Sequence, residues 1–415
     1  MSPCSGALVR ETAESVARHS YGKLVAFLAA RSGNVAAAED ALSDAFAAAL
    51  EDWPVKGCPA NPEAWLLTVA RRKLIDTARR RKNEAPADDF EIETESLVEP
   101  VDEGEVPDRR LGLMFACAHP SIDAAIRAPL ILQAVLGLDA ARIASAFLMS
   151  PAAMGQRLVR AKTKIRQARI PLRIPEREEL PERLETVLDA IYAAFSEGWL
   201  DAVGTDPARR DLAEEAIYLG RLVTELLPGE PEALGLLALM LYAEARRRAR
   251  RGPEGEYIAL AEQDISLWDH ERIRAAETAL RRAGAIGLIG RYQLEAAIQS
   301  AHVSRRRDGL PNWPAVVKLY DALLELTGSP VAAINRAIAV AEIEGPGAAL
   351  AILNSVCGDA RVIEYQPYWA ARADLLARIG ASAEARDAYE IAIGLERDPS
   401  LRNYLERRRA RLPRR

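Results

Sequence analysis

Positive charge is concentrated in two short segments of the chain. Residues 71–82 carry seven Lys or Arg and one acid, Asp76, and residues 157–173 carry seven Lys or Arg and no acid. Cations at this density suit the phosphates of a polyanion, although a basic helix face is often only solvated. Because there are two blocks rather than one, the sequence favours two contacts with a single polyanion.

An acidic segment separates the two basic blocks. Residues 83–108 contain eleven Asp or Glu and no Lys or Arg, with Pro86, Pro100 and Pro107 and no helical period. Such a composition predicts a flexible linker. The net charge of −5, from 55 Lys and Arg against 60 Asp and Glu, therefore conceals a strong segregation of charge along the chain.

The first basic block lies at the end of the second of two predicted helices. Residues 35–50, VAAAEDALSDAFAAAL, predict one helix, which Trp53-Pro54 is expected to end. After a loop, Asn61 is the predicted N-cap of a second helix, with Pro62 at its first position. The apolar residues of this second helix repeat at helical spacing, so its cations should lie off the core face.

The second basic block has the spacing of a helix-turn-helix. Ile143 and Ala144 mark one helix, and Ser150 with Pro151 predicts the start of the next. Its predicted buried stripe is Met154, Leu158 and Ala161. The exposed face then carries the cations, which would contact phosphates, while the first residues of the helix would meet base edges.

Composition predicts a nearly all-helical protein. Ala, Leu, Arg and Glu dominate and 49% of residues are apolar, which is enough to bury a core in several domains. After residue 173, helical segments alternate with Gly- and Pro-containing turns, which predicts a helical solenoid. In residues 368–399, the positions of a tetratricopeptide repeat are matched by Trp369, Ala373, Leu376, Gly380, Ala385, Tyr389 and Ala392.

Two of these segments resemble a known family. AEDALSDAFAAALEDW followed by NPEAWLLTVARRKLIDTARRRK resembles region 2 of bacterial RNA polymerase sigma factors of the extracytoplasmic-function (ECF) type. Ile143-Ala144, Ser150 and the run from Arg157 to Ala161 resemble the helix-turn-helix of sigma region 4. One departure is the Ala153-to-Gln156 stretch, AMGQ, where many sigma factors have Thr-Val-Lys-Ser. Base contacts therefore cannot be copied from the family at this place.

The resemblance implies an all-α protein with four parts. Residues 1–84 would form sigma region 2, 85–108 an acidic linker, and 109–173 region 4 with its helix-turn-helix. Residues 174–415 would form a helical extension with tetratricopeptide-like repeats, as in a subgroup of ECF sigma factors. That subgroup implies an extension that regulates initiation or is needed for it, and an intramolecular contact of the extension with the sigma domains.

The resemblance also implies partners and site residues. The partners would be promoter DNA and core RNA polymerase, contacted through its β′ clamp helices and β flap. Polymerase would be bound by Asp40, Asp44, Phe46 and Trp53. The minus-10 element would be bound by Asn61, Arg72, Lys73, Asp76, Arg79 and Arg80. The minus-35 element would be bound by Ser150, Ala152, Ala153, Gln156, Arg157, Arg160 and Lys164.

The function expected from this ordered set is an alternative sigma factor, which directs polymerase to promoters and promotes DNA opening. Two other readings stay open: a helix-turn-helix regulator with a helical-repeat sensor domain, and a helical-repeat adaptor that binds only proteins. No phosphate loop, metal-ligand spacing or nucleophile–base constellation is recognisable, so neither an enzyme, a metal nor a cofactor is expected. The scattered cysteines, Cys4, Cys58, Cys117 and Cys357, and the lack of a signal peptide or apolar span favour a cytoplasmic protein.

Overall fold

The computed structural model describes residues 6–84, 108–147, 149–199, 207–304, 309 and 312–413. These residues form nineteen α-helices and no strand, so the all-α prediction is confirmed. Apart from Asp108, the predicted acidic linker lies outside the described residues. By its contacts the chain divides into two compact units, Met1–Gly198 and Trp199–Arg415.

The first unit contains two groups of helices. We call α1–α3 the N-terminal module and α4–α7 the second module. The helices of this part are α1 (Gly6–Ser32), α2 (Val35–Lys56), α3 (Pro62–Glu84), α4 (Arg110–Cys117), α5 (Ala124–Leu136), α6 (Ala140–Ala146), α7 (Pro151–Gln167) and α8 (Leu180–Trp199). The predicted boundary of the extension, between 173 and 174, precedes α8, whereas the division into units falls after Gly198.

Helix α2 begins and ends at residues that satisfy its free backbone groups. The Asn34 side chain accepts a hydrogen bond from the Ala37 amide at 3.1 Å. The expectation that Trp53-Pro54 ends this helix is wrong, because the helix continues to Lys56. Near the C-terminus Pro54 removes only one helical hydrogen bond. The helix stops at Gly57, whose φ of 85° is suited to glycine and whose amide donates to the Trp53 carbonyl at 2.9 Å.

The N-terminal module is held by apolar faces of three helices. α1 packs against α2 and α3, and α2 packs against α3. Trp53 is 1% exposed and meets Trp65 edge to face, with ring centroids 5.5 Å apart. The largest fully buried side chains of this core include Leu24, Leu28, Leu42, Leu66 and Leu67.

The second module presents the predicted pair of consecutive helices. The α7 N-cap is Ser150, whose hydroxyl accepts a hydrogen bond from the Ala153 amide at 3.2 Å. The buried stripe of α7 is Met154, Leu158, Ala161 and Ile165, as its 3.6-residue period predicts. This stripe packs against α5 and α6, so Arg157, Arg160, Lys164 and Arg166 of α7 are exposed, whereas Lys162 is nearly buried.

The second unit is built of helical hairpins. Its helices are α9 (Pro207–Leu226), α10 (Pro231–Ala245), α11 (His270–Ile286), α12 (Arg291–Val303), α13 (Trp313–Thr327), α14 (Pro330–Ala341), α15 (Pro346–Val356), α16 (Ala360–Ile363), α17 (Gln366–Arg378), α18 (Ser382–Leu395) and α19 (Pro399–Ala410). Three short 3-10 turns, Arg247–Arg250, Leu260–Glu262 and Ile265–Leu267, lie between α10 and α11.

Helix α10 is the centre of the first part of this unit. It is buried around almost its whole circumference and contacts α9, α11 and α12. Gly235 allows a close approach to α12, since a Cβ there would lie 2.6 Å from the Gln293 amide nitrogen. The Glu232 carboxylate accepts hydrogen bonds from the amides of Tyr292 and Gln293, which fixes the start of α12 against α10.

The predicted tetratricopeptide-like segment forms the hairpin of α17 and α18. Ala373, Leu376, Ala385, Tyr389 and Ala392 are buried in it. Gly380, with a φ of 84°, lies in the turn. A second hairpin, α14 and α15, precedes it and packs on α17. Helical hairpins are thus observed here, while their membership of the tetratricopeptide class stays a prediction.

Cys117 is a thiol buried in the first unit. It is fully buried at the end of α4, and burial raises its pKa to about 12, with nearby Lys162 lowering it and Glu39 raising it by smaller amounts. The described chain also contains Cys58, which is half-buried, and Cys357, which is exposed. The reactive thiolate of Cys117 is therefore scarce at any ordinary pH.

We expect iodoacetamide at pH 8.5 to alkylate Cys357 at least tenfold faster than Cys117. Peptide mass spectrometry over time would measure both rates in the native protein. In urea the two rates should converge, because unfolding returns the Cys117 pKa to its ordinary value. Equal rates in the native protein would contradict the burial of Cys117.

Two glycine substitutions should have opposite effects on the second unit. Gly235→Ala should lower stability by roughly 1–3 kcal/mol, because its Cβ meets backbone that cannot move alone. Gly394→Ala, on α18 with no atom within 4 Å of the added Cβ, should raise it by about 0.5–1 kcal/mol. Thermal unfolding followed by circular dichroism measures both. A lower unfolding midpoint for Gly394→Ala would contradict the open space around Gly394.

Candidate nucleic-acid interface

Helix α3 has one buried and one charged face. Leu66, Leu67, Ala70 and Leu74 are buried against the N-terminal module. The predicted minus-10 residues Arg72, Lys73, Asp76 and Arg79 are exposed. Asn61 is also exposed and accepts a hydrogen bond from the Ala64 amide at 3.1 Å, so its side chain caps the helix. Arg80 lies in α3, but its side chain is outside the described residues.

An exposed ion pair joins the charged face of α3 to α2. The Lys73 ammonium lies 3.6 Å from an Asp44 carboxylate oxygen, and both side chains are exposed. Exposed pairs of this kind contribute about 0–1 kcal/mol, so either partner can be exchanged for another ligand at small cost. Lys73 and Asp44 therefore connect the two sites predicted on α3 and α2.

Two further cations lie beside this face. Arg71 is half-buried, and burial lowers its pKa, with a smaller contribution from nearby Arg31. Arg31 is at the end of α1 and lies over the Phe27 ring at 4.8 Å. Sequence reasoning missed Arg31 because it belongs to a different helix and has no basic neighbour. A contact between elements, which only the fold reveals, brings it close to Arg71.

The exposed face of α2 is acidic and partly apolar. The predicted polymerase-binding residues Asp40 and Asp44 are exposed, and Phe46 is half-buried. Trp53 is buried, so its ring supports the helix from within the core rather than facing a partner. Leu50 and Val55 are 49% and 79% exposed, although apolar. At 3.6 residues per turn Val55 lies on the side of α2 that carries Asp40 and Asp44, whereas Leu50 lies roughly 120° from Asp44, at the edge of the buried stripe. The position of Val55 off the buried stripe was the signal in the sequence.

Helix α7 exposes most of the predicted minus-35 residues. Ser150 caps the helix, and Ala152, Gln156, Arg157, Arg160 and Lys164 are exposed, while Ala153 is half-buried. Gly155 has open space where a Cβ would be. The residues thus lie on one side of α7, opposite its buried stripe.

The cations of α7 line a groove of about 390 Å³. Its walls are Arg157, Arg160 and Lys164 on one side and the loop before α5 on the other. That loop contributes Ser121 and Asp123, whose carboxylate is engaged by the Ala125 amide at 3.1 Å. Three cations facing one carboxylate make this groove suitable for an anionic backbone. Ser121 was missed by sequence reasoning because no local motif links this loop to α7.

Comparison with known proteins gives two family matches and one relative. Residues 16–84 match the model for Sigma-70 region 2, and residues 183–284 match a Family of unknown function (DUF6596). Over 378 residues, 90% of this chain and 89% of the relative, the chain is 38% identical to "Uncharacterized protein R00370" of Rhizobium meliloti (strain 1021). The chain belongs to the same family as that protein. No solved structure matches.

The Sigma-70 region 2 match covers the part of the fold that carries the α2 and α3 faces. The N-terminal module is thus a sigma-70 region 2 domain, which supports a sigma-factor-like role in binding RNA polymerase. This family implies core RNA polymerase and promoter DNA as partners. Among the described residues, no group of three His, Cys, Asp or Glu could hold a metal ion. The helices that the structure describes include none with the length and apolarity to cross a membrane.

Substitutions at Trp53 and Val55 should distinguish a residue of α2 that packs in the core from one that contacts a partner. Trp53→Ala should cost about 3–5 kcal/mol of stability, because it empties a buried aromatic position. Val55→Asp should leave the unfolding midpoint nearly unchanged and weaken binding to core RNA polymerase. Thermal unfolding and a fluorescence-anisotropy titration with polymerase would test this pair. Unchanged polymerase affinity for Val55→Asp would show that this face is not the docking surface.

Proposed function

We propose that the protein is an alternative sigma factor of the ECF type, with a tetratricopeptide-like extension. It binds core RNA polymerase, directs it to specific promoters and promotes DNA opening. The observation that carries the proposal is the exposed cationic face of α3 within a sigma-70 region 2 domain. In the same domain, an acidic and partly apolar face on α2 offers a separate surface to a protein partner.

The proposed minus-10 contacts lie on α3. Arg72, Lys73, Arg79 and Arg80 neutralise phosphates near the point of strand separation. Asp76 and Asn61 offer polar groups to the edges of an unpaired base. Strand opening then gains free energy from backbone contacts that a closed duplex does not offer in this geometry. Polymerase performs the chemistry, and this protein supplies recognition.

The proposed minus-35 contacts lie on α7. Ser150, Ala152 and Ala153 form its first turn, where a recognition helix comes nearest to base edges in the major groove. Gln156 has the amide that pairs with an adenine edge, and Arg157, Arg160 and Lys164 are placed for phosphates. The exposure of these residues, and the cationic groove beside them, support this assignment.

The proposed polymerase contacts use the β′ clamp helices and the β flap. Asp40 and Asp44 are exposed on α2 and would contact basic residues of the clamp. Phe46 and Trp53 would support α2 by packing against the core of the module. The β flap would be contacted by the second module. Leu50 and Val55 extend the α2 surface with apolar area, which protein interfaces bury at their centre.

The proposed role of the extension is regulation of initiation. Arg183, the first residue of the DUF6596 match, donates a hydrogen bond from Nη2 to the Phe115 carbonyl at 2.7 Å. The start of the matched segment thus contacts α4 of the second module. This supports an intramolecular contact by which the extension acts on the sigma domains.

In vitro transcription tests the function. Purified full-length protein is mixed with sigma-free core polymerase and DNA from upstream of its own gene cluster. We expect a specific transcript start, and we expect Arg79→Glu to reduce open-complex formation about tenfold or more while polymerase affinity stays within about twofold. The salt dependence of DNA binding should also become shallower by about one unit of slope.

Arg282→Glu is the matched control, because Arg282 is exposed on α11 and lies outside every proposed contact. It should leave transcription unchanged. Equal loss of polymerase binding and promoter opening in Arg79→Glu would contradict the assignment of polymerase binding to the α2 face and of promoter opening to the α3 face. Failure to bind core polymerase would overturn the sigma-factor proposal, and promoter binding without polymerase would favour a helix-turn-helix regulator.

A further inference from the structure

A cluster of cations lies in the second unit, where α10 ends and the first 3-10 turn begins. Six consecutive residues contain five arginines: Arg246, Arg247, Arg248, Arg250 and Arg251. Like charges this close repel one another, so each cation needs an acceptor, an anion or water beside it. The contacts of each arginine therefore show which charge of the cluster has no counter-ion.

Four of the five arginines bind a protein group or face water. The carboxylate partners are Glu244 for Arg247 and Asp398 for Arg251, each with a nitrogen–oxygen distance of 2.6 Å. Buried Arg246 donates a hydrogen bond to the neutral side chain of Gln299. Arg248 is exposed, so water solvates its charge.

Arg250 is the fifth arginine, and it is partly buried against Trp199, the first residue of the second unit. Its guanidinium carbon lies 3.5 Å from the centroid of the Trp199 ring, and Nη1 donates a hydrogen bond to the Trp199 carbonyl at 3.2 Å. Within the described part of the chain, no carboxylate lies at ion-pair distance from Arg250. A guanidinium has five N–H donors, so the edge formed by Nε and Nη2 can bind an acceptor from outside the protein.

The charges around Arg250 do not offset the cost of burying it. Burial lowers the pKa of Arg250 to about 10, Arg251 and Arg247 lower it further, and Tyr257 and Asp398 act in the opposite direction. Asp398 is already bound to Arg251, so its charge is shared. An anion bound at Arg250 would supply the missing counter-charge.

The chemistry of the cluster favours a phosphate over other anions. A guanidinium fork binds two oxygens of a carboxylate or a phosphate through parallel N–H groups. Arg247 and Arg251 add positive potential at Arg250, which favours an anion with more than one charge, and a phosphate group carries about −1.5 to −2 near pH 7. The Tyr257 hydroxyl lies close enough for Arg250 to lower its pKa, and it offers the anion a neutral donor.

We propose that Arg250, surrounded by Arg247, Arg251 and Tyr257, forms a phosphate-binding site, and that its ligand is a small molecule that carries a phosphate group. Arg250 binds two phosphate oxygens, while the Trp199 ring holds the plane of the guanidinium from one side. All five residues lie in the segment that matches the DUF6596 family, so the site assigns a binding role to that segment. The proposal goes beyond the sigma-factor function and does not depend on it, because binding is measured on the protein alone.

Isothermal titration calorimetry of the full-length protein with inorganic phosphate, at constant ionic strength, tests the site. We expect saturable binding that Arg250→Met weakens at least tenfold, because both the charge and the fork are lost. Arg250→Lys keeps the charge without the fork and should weaken binding at least threefold. Two control variants should change it less than twofold: Arg248→Met on the same turn, and Arg160→Met in the cationic groove of α7.

Thermal unfolding distinguishes a binding role of Arg250 from a structural one. In buffer without phosphate, Arg250→Met should unfold at the same temperature as the natural protein or higher, because it removes a partly buried charge that has no counter-ion. Phosphate should raise the unfolding midpoint of the natural protein and leave that of Arg250→Met unchanged. Circular dichroism checks that each variant folds, and Arg250→Lys serves as the test variant if Arg250→Met does not fold.

Titrations with acetate, glucose 6-phosphate and adenosine monophosphate compare the classes of ligand. Acetate should bind at least tenfold more weakly than inorganic phosphate. A phosphate ester that binds at least tenfold more tightly than inorganic phosphate would support the site and show that it also contacts the organic part of the ligand, whereas equal affinities would support it with the phosphate group alone as the bound part. The proposal would be overturned by acetate that binds as tightly as phosphate, by the absence of saturable phosphate binding, or by phosphate affinity that both Arg250 variants leave unchanged.

Discussion

An unpaired charge is too costly to bury, and this constraint decides where the cations of the first unit can lie. On α3 and α7 the apolar residues repeat with the helical period, and the described cations fall between them on the solvent side. Lys162 departs from this rule, since it is nearly buried, and it has a carboxylate partner on another helix. The positions that remain exposed form the faces that we propose contact DNA, so the packing of the core determines which cations are available for binding.

The features that the sequence revealed are those set by neighbours along the chain. The caps at Asn61 and Ser150 and the buried stripe of α7 follow from local hydrogen bonding and helical periodicity, and all three are observed. The end of α2 was misjudged, because a proline near a helix C-terminus costs little and the actual stop is Gly57. Local hydrogen bonding and helical periodicity were therefore sufficient to predict these features, except at the end of α2, where Pro54 and Gly57 were both candidates for the stop.

The features that the sequence could not reveal depend on the packing of distant helices. Glu39 and Lys162 are 123 residues apart, and nothing in either segment marks the other as its partner. The same holds for Arg31 beside Arg71, and for Ser121 on the wall of the α7 groove. The promoter-contact and polymerase-contact residues, the ECF subgroup and the tetratricopeptide-like class of the extension stay predictions, because a region 2 match and a helical fold do not reach that level of detail.

The exposed pair of Lys73 and Asp44 has a consequence for the order of assembly. On the proposed assignment, Asp44 belongs to the polymerase-binding face and Lys73 to the DNA-binding face, yet each neutralises the other in the free protein. A basic residue of polymerase that takes Asp44 releases Lys73 for a phosphate, and a phosphate that takes Lys73 releases Asp44 for polymerase. Each ligand therefore raises the affinity for the other by the same factor, up to about fivefold for a surface pair of this kind. One ion pair is enough to make the two binding events cooperative.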